Sequence, residues 1–171
     1  GESLRIMLGR TENTSEMTVN VVLGLRVPRI LASVIVGATL SMSGAAYQGI
    51  FKNPLVSPDF LGVSSGACIG AAVAILLSLS ATYISVLAFV FGIAAVMITV
   101  AIPAIMRNRS NVMLVLSGII VGTAMSSIPG FIKYIADPNT QLASIPYWTM
   151  GSFSYITLAD LFAVLPIIAI P

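Results

Sequence analysis

The longest uncharged stretch of this chain runs from Phe60 to Met106 and contains 47 residues. A single helix of that length would be roughly 70 Å long at a rise of about 1.5 Å per residue, whereas the hydrocarbon core of a bilayer is about 30 Å thick. The stretch must therefore turn back on itself. Its most polar part is Ser78 to Thr82, which predicts a turn between helices over residues 60–77 and 83–106.

Composition indicates that these helices lie in a membrane. Charged residues make up 8% of the chain and hydrophobic residues 57%, whereas soluble domains carry about 25% charged residues. No charge occurs between Arg29 and Lys52 either, which predicts an earlier span in that interval. We therefore predict an all-α fold, a polytopic transmembrane helical bundle.

The remaining chain adds two predicted spans and a loop. One span covers residues 112–128, after which a Pro-Gly pair is expected to interrupt the helix, and another begins near Thr157. Residues 137–154 are predicted to form a loop with a short interfacial helix, because Tyr147 and Trp148 are typical of a membrane surface. The sequence thus predicts about five spans.

Four short motifs follow one another between Leu25 and Ala67: LRVPR, GAAYQG, NPLVSPDFLG and SSGA. In this order they resemble the second and third spans of ABC importer permeases of the iron-siderophore, haem and cobalamin family. The resemblance implies about ten spans in a full subunit, so the chain is expected to be an N-terminal-half fragment. Residues 1–25 are then an extracytoplasmic segment, and residues 26–171 an incomplete transmembrane permease domain.

The resemblance also implies a function and a set of partners. The subunit would conduct an iron chelate (siderophore or haem) or cobalamin across the cytoplasmic membrane of a prokaryote. Its expected partners are a second permease subunit in a homo- or heterodimer, an ATP-binding subunit, an extracytoplasmic substrate-binding protein and membrane lipid. No cofactor is expected. No residue selects the cargo, and siderophore-bound iron is preferred only because most of the family is thought to carry it.

Arg26 and Arg29 are the arginines of the LRVPR motif. By resemblance they receive carboxylates from the docked binding protein, and an arginine fork suits bidentate carboxylate recognition. The alternative is that both side chains snorkel to lipid phosphates. The motif favours docking.

By resemblance, Ser110 and Asn111 occupy the two small polar positions of the family's cytoplasmic gate. They also suit a helix cap, and both roles can coexist. The adjacent Arg107 and Arg109 favour the cytoplasmic side for this loop. If the spans alternate, the loop from Lys52 to Asp59 lies on the same side.

Small residues recur at every fourth position along two predicted spans, which lets helices approach closely in a membrane. A role in helix packing is therefore predicted for five glycines: Gly37, Gly49, Gly62, Gly66 and Gly70. Gly118 and Gly122 continue the pattern on a later span, where the face could instead line a pore.

Several classes of function are excluded by what the sequence lacks. It contains no histidine and one cysteine, Cys68, so neither a Ser-His-Asp triad nor a metal site of His and Cys ligands can form. No P-loop is present, and the net charge of +2 is too small to indicate nucleic acid binding. The chain is therefore predicted not to be an enzyme.

Every carboxylate lies at the end of a predicted span or in a loop, so no ion-coupling site is visible and the energy is expected to come from a partner ATPase. Two alternatives remain open at this point. One is an ion-coupled carrier or channel with carboxylates elsewhere in the protein, and the other is a non-conducting membrane scaffold.

Overall fold

The computed structural model describes residues 16–107 and 110–162. Within these ranges the chain is helical and contains no strand, which confirms the predicted all-α class. A π-helical turn (Val22–Arg26) joins α1 to α2, and a 3-10 turn (Pro58–Leu61) precedes α3. The α-helices are α1 (Glu16–Val21), α2 (Val27–Phe51), α3 (Val63–Leu76), α4 (Ala81–Ile105), α5 (Asn111–Ile135) and α6 (Ser144–Met150).

Three helical stretches of the described chain are long and apolar enough to cross a membrane: Met17–Phe51, Ala81–Ile105 and Asn111–Ile135. The span predicted over residues 60–77 is shorter than expected. Its first residues form the 3-10 turn, and Gly62 ends that turn with a φ of 74°. The 14 residues of α3 therefore extend only about 21 Å.

The predicted interruption at Pro129 and Gly130 is wrong, because α5 continues through both residues to Ile135. Proline removes one backbone hydrogen bond from a helix. In apolar surroundings, a broken helix would expose several more unpaired backbone groups. Continuing the helix therefore leaves fewer polar groups unpaired than ending it at the proline.

The predicted start of a span near Thr157 agrees with a capping arrangement. The Asp160 carboxylate accepts hydrogen bonds from the Thr157 amide and hydroxyl at 2.9 and 2.7 Å, and the Asp160 amide donates to the Thr157 hydroxyl at 3.3 Å. This reciprocal pattern is typical of a helix start. Residues 158–162 are helical. The rest of this span lies outside the described residues, as do Arg109 and most of the predicted extracytoplasmic segment.

Residues 44–151 form one compact unit, and the residues before and after them form a second. In the first of these units α3 packs against α4 through two glycines. A Cβ atom on Gly66 would lie 2.6 Å from the Phe91 carbonyl oxygen, and one on Gly70 would collide with the Leu87 carbonyl. The absence of side chains at these positions lets the two backbones approach closely.

The predicted turn between α3 and α4 is present, and hydrogen bonds from Gln141 hold it. The Gln141 amide nitrogen donates to the Leu76 carbonyl at 3.0 Å and contacts the Ser78 hydroxyl at 3.1 Å. Beneath this contact α3, α5 and α6 share a small apolar core of Ala72, Ile75, Ile132, Ala136 and Ile145. The ends of α3 and α5 therefore meet α6 at one end of the unit, and the short helix predicted within residues 137–154 is α6.

Candidate functional site

The opposite end of this unit carries a polar cleft of about 410 Å³ between the 3-10 turn, α3 and α5. Glycines allow the 3-10 turn and α5 to approach each other closely. A Cβ atom on Gly118 would collide with the Phe60 carbonyl oxygen, and one on Gly62 would lie 3.3 Å from the Cα atom of Gly122. The cleft is lined by Ser57, Asp59, Phe60, Ser65, Gly118, Ile119, Gly122, Thr123 and Ser126.

A buried hydrogen-bond network fixes the turn that forms one wall of the cleft. Thr99 is 0% exposed and Ser117 1% exposed. The Thr99 hydroxyl donates to the Leu61 carbonyl at 3.1 Å. The Ser117 hydroxyl shares its proton between the carbonyls of Thr99 at 3.1 Å and Leu114 at 2.9 Å. The network thus ties α4 to the turn and α5 to α4.

Pro103 explains why the Thr99 carbonyl needs a partner from another helix. In a regular helix this carbonyl would accept from the amide of the residue four positions later. That residue is Pro103, which lies inside α4 and has no amide proton. The Ser117 hydroxyl of α5 therefore replaces the missing donor.

Three hydroxyl groups face the cleft from α3 and α5. The Thr123 hydroxyl donates to the Ile119 carbonyl at 2.7 Å, and the Ser126 hydroxyl donates to the Gly122 carbonyl at 2.7 Å. The hydroxyls of Ser65 and Ser126 lie 3.0 Å apart. They link α3 to α5 across the cleft.

Asp59 is the charged residue among those that line the cleft. Its carboxylate accepts from the Ser64 amide at 3.1 Å, in the first turn of α3, where an anion is favoured by the helix dipole. Ser57 precedes the 3-10 turn but makes no capping bond through its side chain. The local negative charge of the cleft is therefore held at the start of α3.

The predicted gate residues lie at the same end of the unit. The Ser110 hydroxyl accepts from the Met113 amide at 3.2 Å, so Ser110 caps α5, and Asn111 is the first residue of that helix. Both are exposed. They line a separate cavity of about 290 Å³ together with Val100, Pro103, Ala104 and Leu114. The gate role itself stays a prediction.

The two arginines of the LRVPR motif lie in the other unit. Arg26 ends the π-helical turn, and Arg29 lies in the first turn of α2. A guanidinium nitrogen of Arg29 donates to the Ser154 carbonyl at 2.9 Å. Both side chains are exposed. Their role in docking a binding protein stays a prediction.

The predicted packing glycines differ in their surroundings. Gly62, Gly66 and Gly70 have backbone atoms of other elements close to the position of a Cβ atom. Gly37 and Gly49 have no atom within 4 Å of that position in the described part of the chain. For these two residues helix packing stays a prediction.

The sequence profile of the FecCD transport family matches residues 2–171. The chain belongs to this family. The molybdate import system permease protein MolB of Haemophilus influenzae is 40% identical over 136 residues, which cover 78% of this chain and 40% of that protein. A "Probable iron chelatin transport system permease protein" of Helicobacter pylori is 38% identical over 149 residues, covering 87% of this chain and 44% of that protein.

A third relative is the cobalamin import system permease protein BtuC of Halobacterium salinarum, which is 34% identical over 155 residues, or 90% of this chain and 42% of that protein. A solved structure described as "An inward-facing conformation of a putative metal-chelate type ABC transporter" matches with a TM-score of 0.81 and 32% identity. The match covers 91% of this chain and 49% of that one. The chain therefore spans less than half the length of the relatives it matches.

Proposed function

We propose that this chain forms part of the substrate-conducting permease subunit of a binding-protein-dependent ABC importer. The observation that carries the proposal is the family match over residues 2–171, together with helices long and apolar enough to span a membrane. The relatives are named for permeases of import or transport systems. The subunit acts in the cytoplasmic membrane of a prokaryote.

The cleft beside α5 supports a conducting role for this helix. Hydroxyl groups seldom lie against lipid tails. Here the hydroxyls of Thr123 and Ser126 face a cleft that also holds the Asp59 carboxylate. A polar surface on an otherwise apolar helix is what a solute path requires. In this proposal α5 lines the path, and Ser110 and Asn111 narrow its cytoplasmic end.

The subunit works with partners that supply energy and cargo. A second permease subunit completes the path, an ATP-binding subunit hydrolyses ATP, and an extracytoplasmic binding protein that docks on Arg26 and Arg29 delivers the cargo. The permease itself is not a catalyst. The proposed cargo is an iron chelate, because one relative is named for iron chelatin and the similar solved structure is of metal-chelate type.

The proposal is tested by uptake into proteoliposomes that contain the full-length permease with its ATP-binding subunit and binding protein. Ferric siderophore, haem, cobalamin and molybdate are offered in parallel, with ATP or with a proton or sodium gradient. We expect uptake of an iron chelate that depends on ATP. Uptake driven by a gradient in the absence of ATP would reject the proposal.

A further inference from the structure

The hydroxyl protons of the cleft between the 3-10 turn, α3 and α5 are already committed to the protein. A hydroxyl has one proton to donate and two lone pairs to accept. Thr123 donates its proton to the Ile119 carbonyl, and Ser126 donates its proton to the Gly122 carbonyl, both at 2.7 Å. A carbonyl can only accept, so these two assignments follow from the geometry.

The third proton follows from the second. Ser65 and Ser126 lie within hydrogen-bond distance at 3.0 Å. Because the Ser126 hydroxyl already donates its proton to the Gly122 carbonyl, Ser65 must be the donor in this pair. All three hydroxyls therefore offer lone pairs, and not protons, to a molecule in the cleft.

The charge of the cleft, like its hydroxyl lone pairs, favours a molecule that donates hydrogen bonds. Asp59 lines it, and neither Lys nor Arg is among its described lining residues. One carboxylate oxygen of Asp59 accepts from the Ser64 amide, which leaves acceptor capacity on the carboxylate. Ser57 is the lining hydroxyl that makes no capping bond, so it can donate. Among the polar side chains that line the cleft, groups that can only accept therefore outnumber the one that can donate.

We propose that this cleft favours neutral or positively charged cargo that presents N–H or O–H groups, and disfavours anionic cargo. The inference rests on the proposed function, in which α5 lines the path. An ammonium or amide N–H would meet free lone pairs and a carboxylate. An oxyanion such as molybdate, or the two carboxylates of haem, would meet the same groups without donors to satisfy them, which is an effective way to reject a competitor.

The test uses matched cargo in the complete transporter with its binding protein and ATP in proteoliposomes. One ferric trihydroxamate is prepared with a terminal ammonium, acetamide or carboxylate, so that only the charge of one group changes. Cobalamin and its derivative with one amide hydrolysed to a carboxylate form a second pair. Haem and molybdate are offered alongside. The measured quantity is the ratio of uptake rates between the cationic or neutral member and the anionic member.

Two substitutions should lower this ratio. Asp59→Asn keeps an oxygen that can accept from the Ser64 amide but removes the charge. Thr123→Val keeps the side-chain shape but removes a hydrogen-bond acceptor. We expect Asp59→Asn to reduce the ratio about fivefold or more, as loss of one close charge interaction predicts, and Thr123→Val to reduce it less. The control is Ser127→Ala, whose hydroxyl donates to the Ala124 carbonyl and lies outside the cleft.

The binding protein is the same in every variant, so its own preference cancels when ratios are compared. If the wild-type complex carries these chelates and the ratio is equal in wild type, Asp59→Asn and Thr123→Val, the inference is overturned but the proposed function stands. An equal ratio of neutral-chelate uptake to haem or molybdate uptake in wild type and Asp59→Asn has the same meaning. If the complex takes up none of the cargos in the presence of ATP, the proposed function is rejected, and the inference with it.

Discussion

At Gly118 the carbonyl oxygen of Phe60 occupies the space that a Cβ atom would need. This contact sets how closely the 3-10 turn approaches α5, and so the width of the cleft. Gly130, twelve residues further along the same helix, has no atom of the described residues within 4 Å of the corresponding position. The two glycines therefore form a matched pair, one in a tight contact and one in open space.

We expect Gly118→Ala to destabilise the permease by about 1–3 kcal/mol, because overpacking shifts the backbone. Gly130→Ala should be neutral or stabilising by up to about 1 kcal/mol, as expected for alanine in a helix. Thermal unfolding of the purified full-length subunit measures both. Equal midpoints for the two variants would contradict the contact.

The second prediction at this scale concerns Asn111, which begins α5 and lines the cavity beside the α5 cap. Asn111→Phe should slow release of cargo to the cytoplasmic side while leaving assembly intact, because the proposed gate is filled by a bulky side chain. Single-turnover uptake at saturating ATP measures the rate, and co-purification of the ATP-binding subunit measures assembly. A wild-type rate in an assembled complex would count against the gate.

At the scale of elements, α4 and α5 are joined by a hydrogen bond that replaces one lost within α4. Pro103 leaves the Thr99 carbonyl without its helical partner, and the buried Ser117 hydroxyl donates to that carbonyl at 3.1 Å. A buried carbonyl left unpaired costs about 1–3 kcal/mol. The packing of the two helices therefore depends on a proline and a serine that are distant in sequence.

Ser117→Ala is expected to destabilise the permease by about 1–3 kcal/mol. Pro103→Ala restores a backbone N–H that can donate to the Thr99 carbonyl, so Ser117→Ala should cost clearly less in that background, with a coupling of about 0.5 kcal/mol or more. Unfolding midpoints of the four proteins give the coupling. Ser127→Ala, which removes an exposed hydroxyl, is the control and should change little. Additive effects of the two substitutions would contradict the replacement.

Much at this scale follows from the sequence alone. The uncharged run from Phe60 to Met106 and the polar residues near Ser78 are local features, and they correctly predict two helices with a turn between them. The continuation of α5 through Pro129 and the short length of α3 depend on which backbone groups find partners in the folded chain. For the turn before α3 one partner is the Thr99 hydroxyl, which is 38 residues from Leu61 in sequence. For α5 the cost of unpaired backbone groups in apolar surroundings decides, so neither feature was predictable from a local pattern.

The same distinction separates the parts of the candidate site. Gly118 and Gly122 belong to a periodic pattern and could be predicted to face a packing surface or a pore. Thr99 and Ser117 are single hydroxyl residues in apolar runs, and no motif marks them. The one available signal is Pro103, which stands four residues after Thr99 and indicates that the Thr99 carbonyl needs another donor.

At the scale of the whole molecule, most of the surface of the spanning helices is not covered by residues 16–107 and 110–162. The most apolar windows of the three long helices are 17%, 22% and 22% buried. The chain covers 40–44% of the length of three relatives, so the rest of a full subunit and a second subunit are the proposed neighbours of these faces, together with lipid.

Docking of the binding protein is a prediction at this scale. The double substitution Arg26→Glu with Arg29→Glu should abolish binding of the binding protein to the full transporter, because carboxylates would then face carboxylates. Membrane insertion should be unaffected. The measurement is binding affinity across a salt series. Since Arg29 also donates to the Ser154 carbonyl, Arg29→Lys serves as the control for local structure, and an unchanged affinity of the double variant would reject docking.

The short length of α3 has a consequence for how the protein enters the membrane. Its 14 residues are fewer than the about 20 that a helix needs to cross the hydrocarbon core by itself, so α3 alone should insert into the bilayer poorly. The following helix, α4, is long and strongly apolar and packs against α3 through Gly66 and Gly70. During synthesis, α3 should therefore remain at the bilayer surface until α4 has emerged from the ribosome, and the two helices should insert together as a hairpin.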